Sequence, residues 1–170
     1  MKTDVHGYNW FQRTYKGVSA GDVFSVPLEQ GFAYGRVLNA HEGASIAEFF
    51  RFWSAESAFD PEIIKSPRLF SPVGILITDI ASRQRKRAWK VVHQDSSFYP
   101  DDLYEIPFSQ SWDGENWTYY TLLDDEKTLG KIDFEAIKSW EVASQLPQHK
   151  SRIQKMLETQ LVAAGLFMTR

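Results

Sequence analysis

The sequence predicts an α+β fold: a mostly antiparallel, strongly curved or barrel-like β-sheet with a C-terminal amphipathic helix packed on it. Three observations carry that expectation. Gly21–Val37 alternates with period two around a glycine turn, Val73–Ile77 is an unbroken apolar run, and beyond Pro147 the apolar spacing switches to that of a helix.

In Gly21–Val37 the first arm places Val23, Ser25 and Pro27 on one side and Phe24, Val26 and Leu28 on the other, as in a half-buried strand. Glu29-Gln30-Gly31 supplies a tight turn whose glycine takes positive φ, and the return arm sets Phe32, Tyr34 and Arg36 against Ala33, Gly35 and Val37. Pro27 cannot donate to a ladder, which makes the first arm an edge or places the proline where the strand bends. Gly35 points to a bulge or to another backbone pressed close. Met1–Ala20, ahead of the hairpin, reads as a partly ordered arm.

In Ala44–Trp53, Ala47 and Glu48 would suit a helix over part of the segment, but the clustered phenylalanines favour the third strand. Ser54–Ser71 is a connection in which Asp60 and Pro61 open a single helical turn. Val73–Ile77 is expected as a central strand buried on both faces. Arg85–His93 is expected as its antiparallel neighbour across an arginine-rich turn, with Trp89, Val91 and His93 on one face, so that these two strands make the centre of the sheet. Asp113-Gly114, between Trp112 and Trp117, marks a tight turn before a strand over Trp117–Leu123, and Asp133 caps a short helix through Ile137. After Pro147, Ile153, Met156, Leu157, Gln160, Leu161 and Ala164 share one helical face, and Gly165 supplies a stop. The result is a single domain over 1–170, with a β-rich core at 21–123 and a helix at 147–165, without internal repeats or a linker.

A chain of 170 residues buries about 70% of its unfolded surface and needs no staples. The absence of cysteine excludes disulfides and thiolate metal sites and suits a reducing compartment. Met1–Ala20 has no unbroken apolar run and reads as neither a signal peptide nor a membrane span, so a cytoplasmic protein without a membrane partner is expected. The net charge of −3 hides a polarised distribution. Asp101, Asp102, Glu105, Asp113, Glu115, Asp124, Asp125 and Glu126 fall in a segment with no lysine or arginine, which carries −8 and leaves +5 on the remainder.

Much of that positive charge lies in Arg83, Arg85, Lys86, Arg87 and Lys90, where cations could contact phosphates and Trp89 could stack a base. The competing reading is a solvated hairpin turn with Trp89 in the core, and the chain as a whole is acidic, unlike a nucleic-acid binder. His6, His41, His93 and His149 show no metal-ligand spacing, so neither metal nor cofactor is expected. A hydrolytic site built from His41, His93 and Asp22 lacks any catalytic spacing, and no serine sits in a nucleophile elbow; the chain does not read as an enzyme. The acidic segment is interleaved with Tyr104, Phe108, Trp112, Trp117, Tyr119 and Tyr120, and aromatic anchors beside a single-sign field suit a protein interface. Its ordinary alternative is a solvated edge whose aromatics point inward.

Gly21-Asp22, Val26-Pro27-Leu28, Gly31, Tyr34-Gly35 and Val37, followed by Trp89-Lys90-Val91-Val92, resemble the immunity protein 26 family of bacterial polymorphic toxin systems. The resemblance covers Gly21–Val92 and, more loosely, Trp140–Leu157. It implies a small, mostly-β protein that binds and silences a cognate toxin domain met in the cytosol. On that reading Asp101, Asp102, Glu105, Asp113, Glu115, Asp124 and Asp125 steer the toxin electrostatically, and Tyr104 and Trp112 anchor it. A nuclease toxin would present a basic groove that such an acidic surface can fill.

Overall fold

The computed structural model describes residues 11–42, 45–80, 89–111, 113–122 and 130–167. Two short strands, β1 (Thr14–Tyr15) and β2 (Val18–Ser19), form a small hairpin ahead of the main sheet. This end of the expected arm is tied down: Gln12 N donates to Asn39 Oδ1 at 2.6 Å, and Val18 and Ala20 are buried.

The predicted hairpin forms from β3 (Val23–Pro27) and β4 (Phe32–Asn39), with Pro27 opposite Phe32 and Gly31 at a φ of 69°. Strand β5 (Ser45–Ser54) pairs antiparallel with β4, and the register slips between Ala33 and Gly35. Both readings of Gly35 hold, since a Cβ there would lie 2.6 Å from Phe24 Cζ and 2.8 Å from Glu48 O. Helix α1 (Pro61–Lys65) starts where Asp60 Oδ1 accepts from Glu62 N at 2.8 Å.

Strands β6 (Val73–Ile75) and β7 (Lys90–His93) complete the sheet, but not where the sequence suggested. The order is β6-β5-β4-β3-β7, so the two strands expected side by side at the centre are its opposite edges. β7 pairs with β3, which is therefore interior, and Pro27 lies beyond the last β7 partner, Ser25, where no ladder bond is asked of it. β6 can be an apolar edge because a later segment covers it. Gly74 N donates to Ser144 O at 2.7 Å, Gln148 N donates to Gly74 O at 3.0 Å, and a Cβ on Gly74 would lie 1.9 Å from Gln145 O. Having two distinct edges, this sheet is open and forms no barrel among the described residues.

A second antiparallel sheet contains β8 (Phe108–Gln110), β9 (Thr118–Tyr120) and β10 (Gly130–Lys131), in the order β10-β9-β8. Asp133 caps α2 (Phe134–Lys138) by accepting from Glu135 N at 3.0 Å. Helix α3 (Lys150–Ala163) is capped by His149 and followed by Gly165 at a φ of 71°.

The main sheet is covered on both faces rather than half-buried. On one face Phe24, Val26, Val37, Phe49 and Trp89 share a cluster with Ile153, Leu157 and Leu161 of α3. Trp89 lies parallel to Phe24, with ring centroids 5.5 Å apart. On the other face Val23, Tyr34 and Phe50 pack with Ile63 of α1, while Leu38 and Ile46 pack with Leu103, Tyr104, Ile106 and Phe108.

Candidate partner-binding surface

The acidic stretch reaches the surface through a short 3-10 turn, Leu103–Glu105. Leu103 and Tyr104 turn into the second core cluster, so Asp101, Asp102 and Glu105 are left on the outer side. Tyr104, expected as an anchor, is only 2% exposed, and as folded its ring is a core element.

Asp102 is held by Arg68, whose Nη1 lies 2.6 Å from Oδ2 and whose Nη2 donates to Oδ1 at 3.2 Å. Arg68 Nε donates to Glu48 Oε2 at 2.6 Å, and Arg36 Nε donates to Glu48 Oε1 at 2.7 Å. Burial pulls the Arg68 guanidinium down, but Asp102 and Glu48 more than offset it and hold the group above its usual value. Glu48 thus sits inside β5, clamped between two arginines that run out to the surface, and Phe98 packs 4.0 Å from the Arg36 guanidinium. Beside this row lies a cleft of about 440 Å³ lined by Arg68, Phe70, Pro72, Asp102, Glu105 and Glu141.

Asp113 and Glu115 are exposed on the β8–β9 turn, where Gly114 has a φ of 77°. Asp113 serves the turn itself. Its Oδ1 accepts from the backbone N–H of Asn116 and of Glu115, both at 2.8 Å, and these bonds hold its carboxyl well below the usual range. Trp112, Asp124 and Asp125 lie outside the described residues, as do Arg83, Arg85, Lys86 and Arg87. Trp89, the base-stacking residue of the nucleic-acid reading, is 1% exposed and committed to the core.

The residues of the hydrolase reading are engaged separately. Asp22 is buried and accepts from Ser19 N at 2.9 Å, His93 stacks on Phe59 with centroids 4.0 Å apart, and His41 O accepts from Ser45 Oγ. Among the described residues no group of three or more His, Asp or Glu could hold a metal ion. None of the described helices is long and apolar enough to cross a membrane.

A family model described as Immunity protein 26 matches residues 19–120, more than half of the chain. The chain belongs to the immunity protein 26 family. The match takes in the whole main sheet, the Arg36–Glu48–Arg68–Asp102 row and the β8–β9 turn, and it stops short of the looser Trp140–Leu157 resemblance. No curated protein and no solved structure matches the chain significantly. Within the family region, the arginine–glutamate row escaped sequence reasoning because its bonded partners stand 12 to 34 residues apart. The one local signal was Glu48 itself, an acid between Ala47 and Phe49 in an apolar strand, which calls for a buried cationic partner.

Proposed function

We propose that the chain neutralises a cognate bacterial toxin domain in the cytoplasm by binding it and occluding its active surface, without a bond made or broken in the immunity protein. Membership of the immunity protein 26 family carries this reading. The surface chemistry supports it: Asp101, Glu105 and Glu115 are exposed carboxylates, while Asp102 and Asp113 spend theirs on Arg68 and on the β8–β9 turn. In this division of labour the exposed acids steer, and the other two hold the steering surface in shape. Asp124, Asp125 and Trp112 belong to the same proposed face by sequence.

The test starts by looking for a toxin domain in the reading frame beside the gene and uses that domain. Co-expression should protect growth. Reversing Asp101, Glu105 and Glu115 to lysine should slow association about tenfold near 0.01 M ionic strength and far less near 0.15 M, where screening shortens the field's reach. An association rate indifferent to the reversal at both salt concentrations would remove this face from the interface.

A further inference from the structure

Asp113-Gly114, in the β8–β9 turn, is the one Asp-Gly step of the sequence, which contains no Asn-Gly step. An aspartate before glycine is open to attack on its side chain by the following backbone nitrogen, because glycine has no Cβ to shield that nitrogen. Position gives the step no protection here. Residues 113–116 are exposed, and beyond the chain neighbours no heavy atom lies within 4 Å of where a Cβ on Gly114 would stand. The protection comes from hydrogen bonds. Asp113 Oδ1 accepts from Glu115 N and Asn116 N, both at 2.8 Å, and from Ser111 Oγ at 3.1 Å, while Oδ2 accepts from Asn116 Nδ2 at 2.6 Å. Ser111 Oγ in turn accepts from Gly114 N at 2.8 Å, so one hydroxyl holds both the carboxylate and the amide that would attack it.

We infer that Asp113-Gly114 is a self-modification site, an isoaspartate-forming step whose ring closure Ser111 restrains. In the reaction Gly114 N bonds to the Asp113 carboxyl carbon, and its amide hydrogen leaves as water with one carboxylate oxygen and a proton from solvent, giving a cyclic imide. Water then adds to one of the two imide carbonyls. Breaking the bond from Gly114 N to the side-chain carbonyl restores aspartate, whereas breaking the bond to the main-chain carbonyl leaves the chain running through the side-chain carbon, as isoaspartate. One water leaves and one returns, and nothing is oxidised or reduced. Closure needs an electrophilic carboxyl carbon and an amide free to turn onto it. The donors on Asp113, Asn116 N foremost, hold its carboxyl well below the usual range and so in the ionised form, which is the poor electrophile. The bond from Gly114 N to Ser111 Oγ opposes the turning of the amide. Isoaspartate, once formed, sets an extra methylene in the main chain and draws the free carboxylate away from the N–H groups of Glu115 and Asn116. Ageing would thus loosen the turn at Glu115, a residue of the proposed steering face, but the chemistry is the same whether or not a toxin binds.

The test incubates the purified full chain at neutral pH. Isoaspartate is counted by labelled methyl transfer from S-adenosylmethionine with an isoaspartyl methyltransferase and mapped by peptide mass spectrometry. Folded wild-type protein should form it at Asp113 at least about tenfold more slowly than the chain held unfolded in urea. Ser111→Ala should raise the folded rate about tenfold, the effect of losing a hydrogen bond to a charged group, and Ser111→Thr, which keeps the hydroxyl, should stay near wild type. Asp95-Ser96, a step outside this turn, serves as internal control and should not respond to either substitution. A folded rate equal to the unfolded one overturns the restraint, and a Ser111→Ala rate no faster than wild type overturns Ser111 as its source. A parallel rise at Asp95 in Ser111→Ala marks general loosening of the fold and overturns that role as well. Isoaspartate absent from Asp113 even in the unfolded chain overturns the site.

Discussion

Arg68 Nε donates to Glu48 Oε2 at 2.6 Å, joining the strand interior to a side chain that also grips Asp102. The two acids hang from the same guanidinium at different depths, with side-chain exposures of 3% for Glu48 and 46% for Asp102. Removing each should therefore cost very different amounts. Glu48→Ala leaves Arg36 without its counter-charge and Arg68 with Asp102 alone. Their own partial exposure places the loss near the low end of the ~3–5 kcal/mol for a broken buried pair, about 3 kcal/mol. Asp102→Asn should cost under about 1 kcal/mol, as for an exposed pair. Thermal unfolding of the two variants checks the ratio, with Tm lowered by roughly 5–10 °C for the first and hardly at all for the second.

Gly74→Ala should detach the segment that covers β6. The added Cβ would lie 1.9 Å from Gln145 O, so the 144–148 backbone must move and the bonds Gly74 N to Ser144 O and Gln148 N to Gly74 O weaken. A loss of about 1–3 kcal/mol is expected. Amide exchange at Gln148 should accelerate well before global unfolding, whereas exchange across β3 and β4 should not.

Trp140 takes a φ of 56° at the end of α2, a position where glycine is the usual occupant. Trp140→Gly would relieve about 1 kcal/mol of backbone strain. It would also remove a ring that is 3% exposed and packs edge-on to Phe70 at 5.1 Å, at about 3–5 kcal/mol. The packing loss is the larger, so denaturant unfolding should show a net destabilisation of roughly 2–4 kcal/mol.

Asp79 carries a carboxyl whose pKa burial raises above 3.8, while Lys150 and His149 pull it back without cancelling the rise. One of its oxygens is buried without a hydrogen-bond partner among the described residues. Because the folded value exceeds the unfolded one, the ionised group costs stability above its folded pKa, and that cost disappears as pH falls through the folded value to below 3.8. Asp79→Asn should accordingly raise Tm near neutral pH, with the gain shrinking to nothing in acid. A gain independent of pH would show that the carboxylate charge is not the cause.

The parts legible in the sequence are those decided within a few residues. The Gly31 turn, the caps at Asp60 and Asp133 and the tightness at Gly35 all follow from local backbone needs, and each is present. Strand order was not legible in this way. Val73–Ile77 has the apolar run of a central strand, yet only Val73–Ile75 is strand, and it is an edge sealed by Ser144–Gln148, a segment some seventy residues later that no local pattern announces. Tyr104 was read as an anchor because it stands among acids; the 3-10 turn sends it inward with Leu103 and leaves Asp102 and Glu105 outside. The proposed surface was thus visible as a charge pattern, while Arg36, Glu48 and Arg68 beneath it became visible only when the strands came together.

The family match ends at 120, but the segment that closes β6 and the helix residues Ile153, Leu157 and Leu161 all come later. A fragment cut to the matched span would carry the recognisable signature and lack both a lid for one sheet margin and a third wall for its largest cluster. The matched span and the unit of folding therefore have different boundaries in this chain, and transplanting the signature alone onto another scaffold would carry an unfinished interior with it.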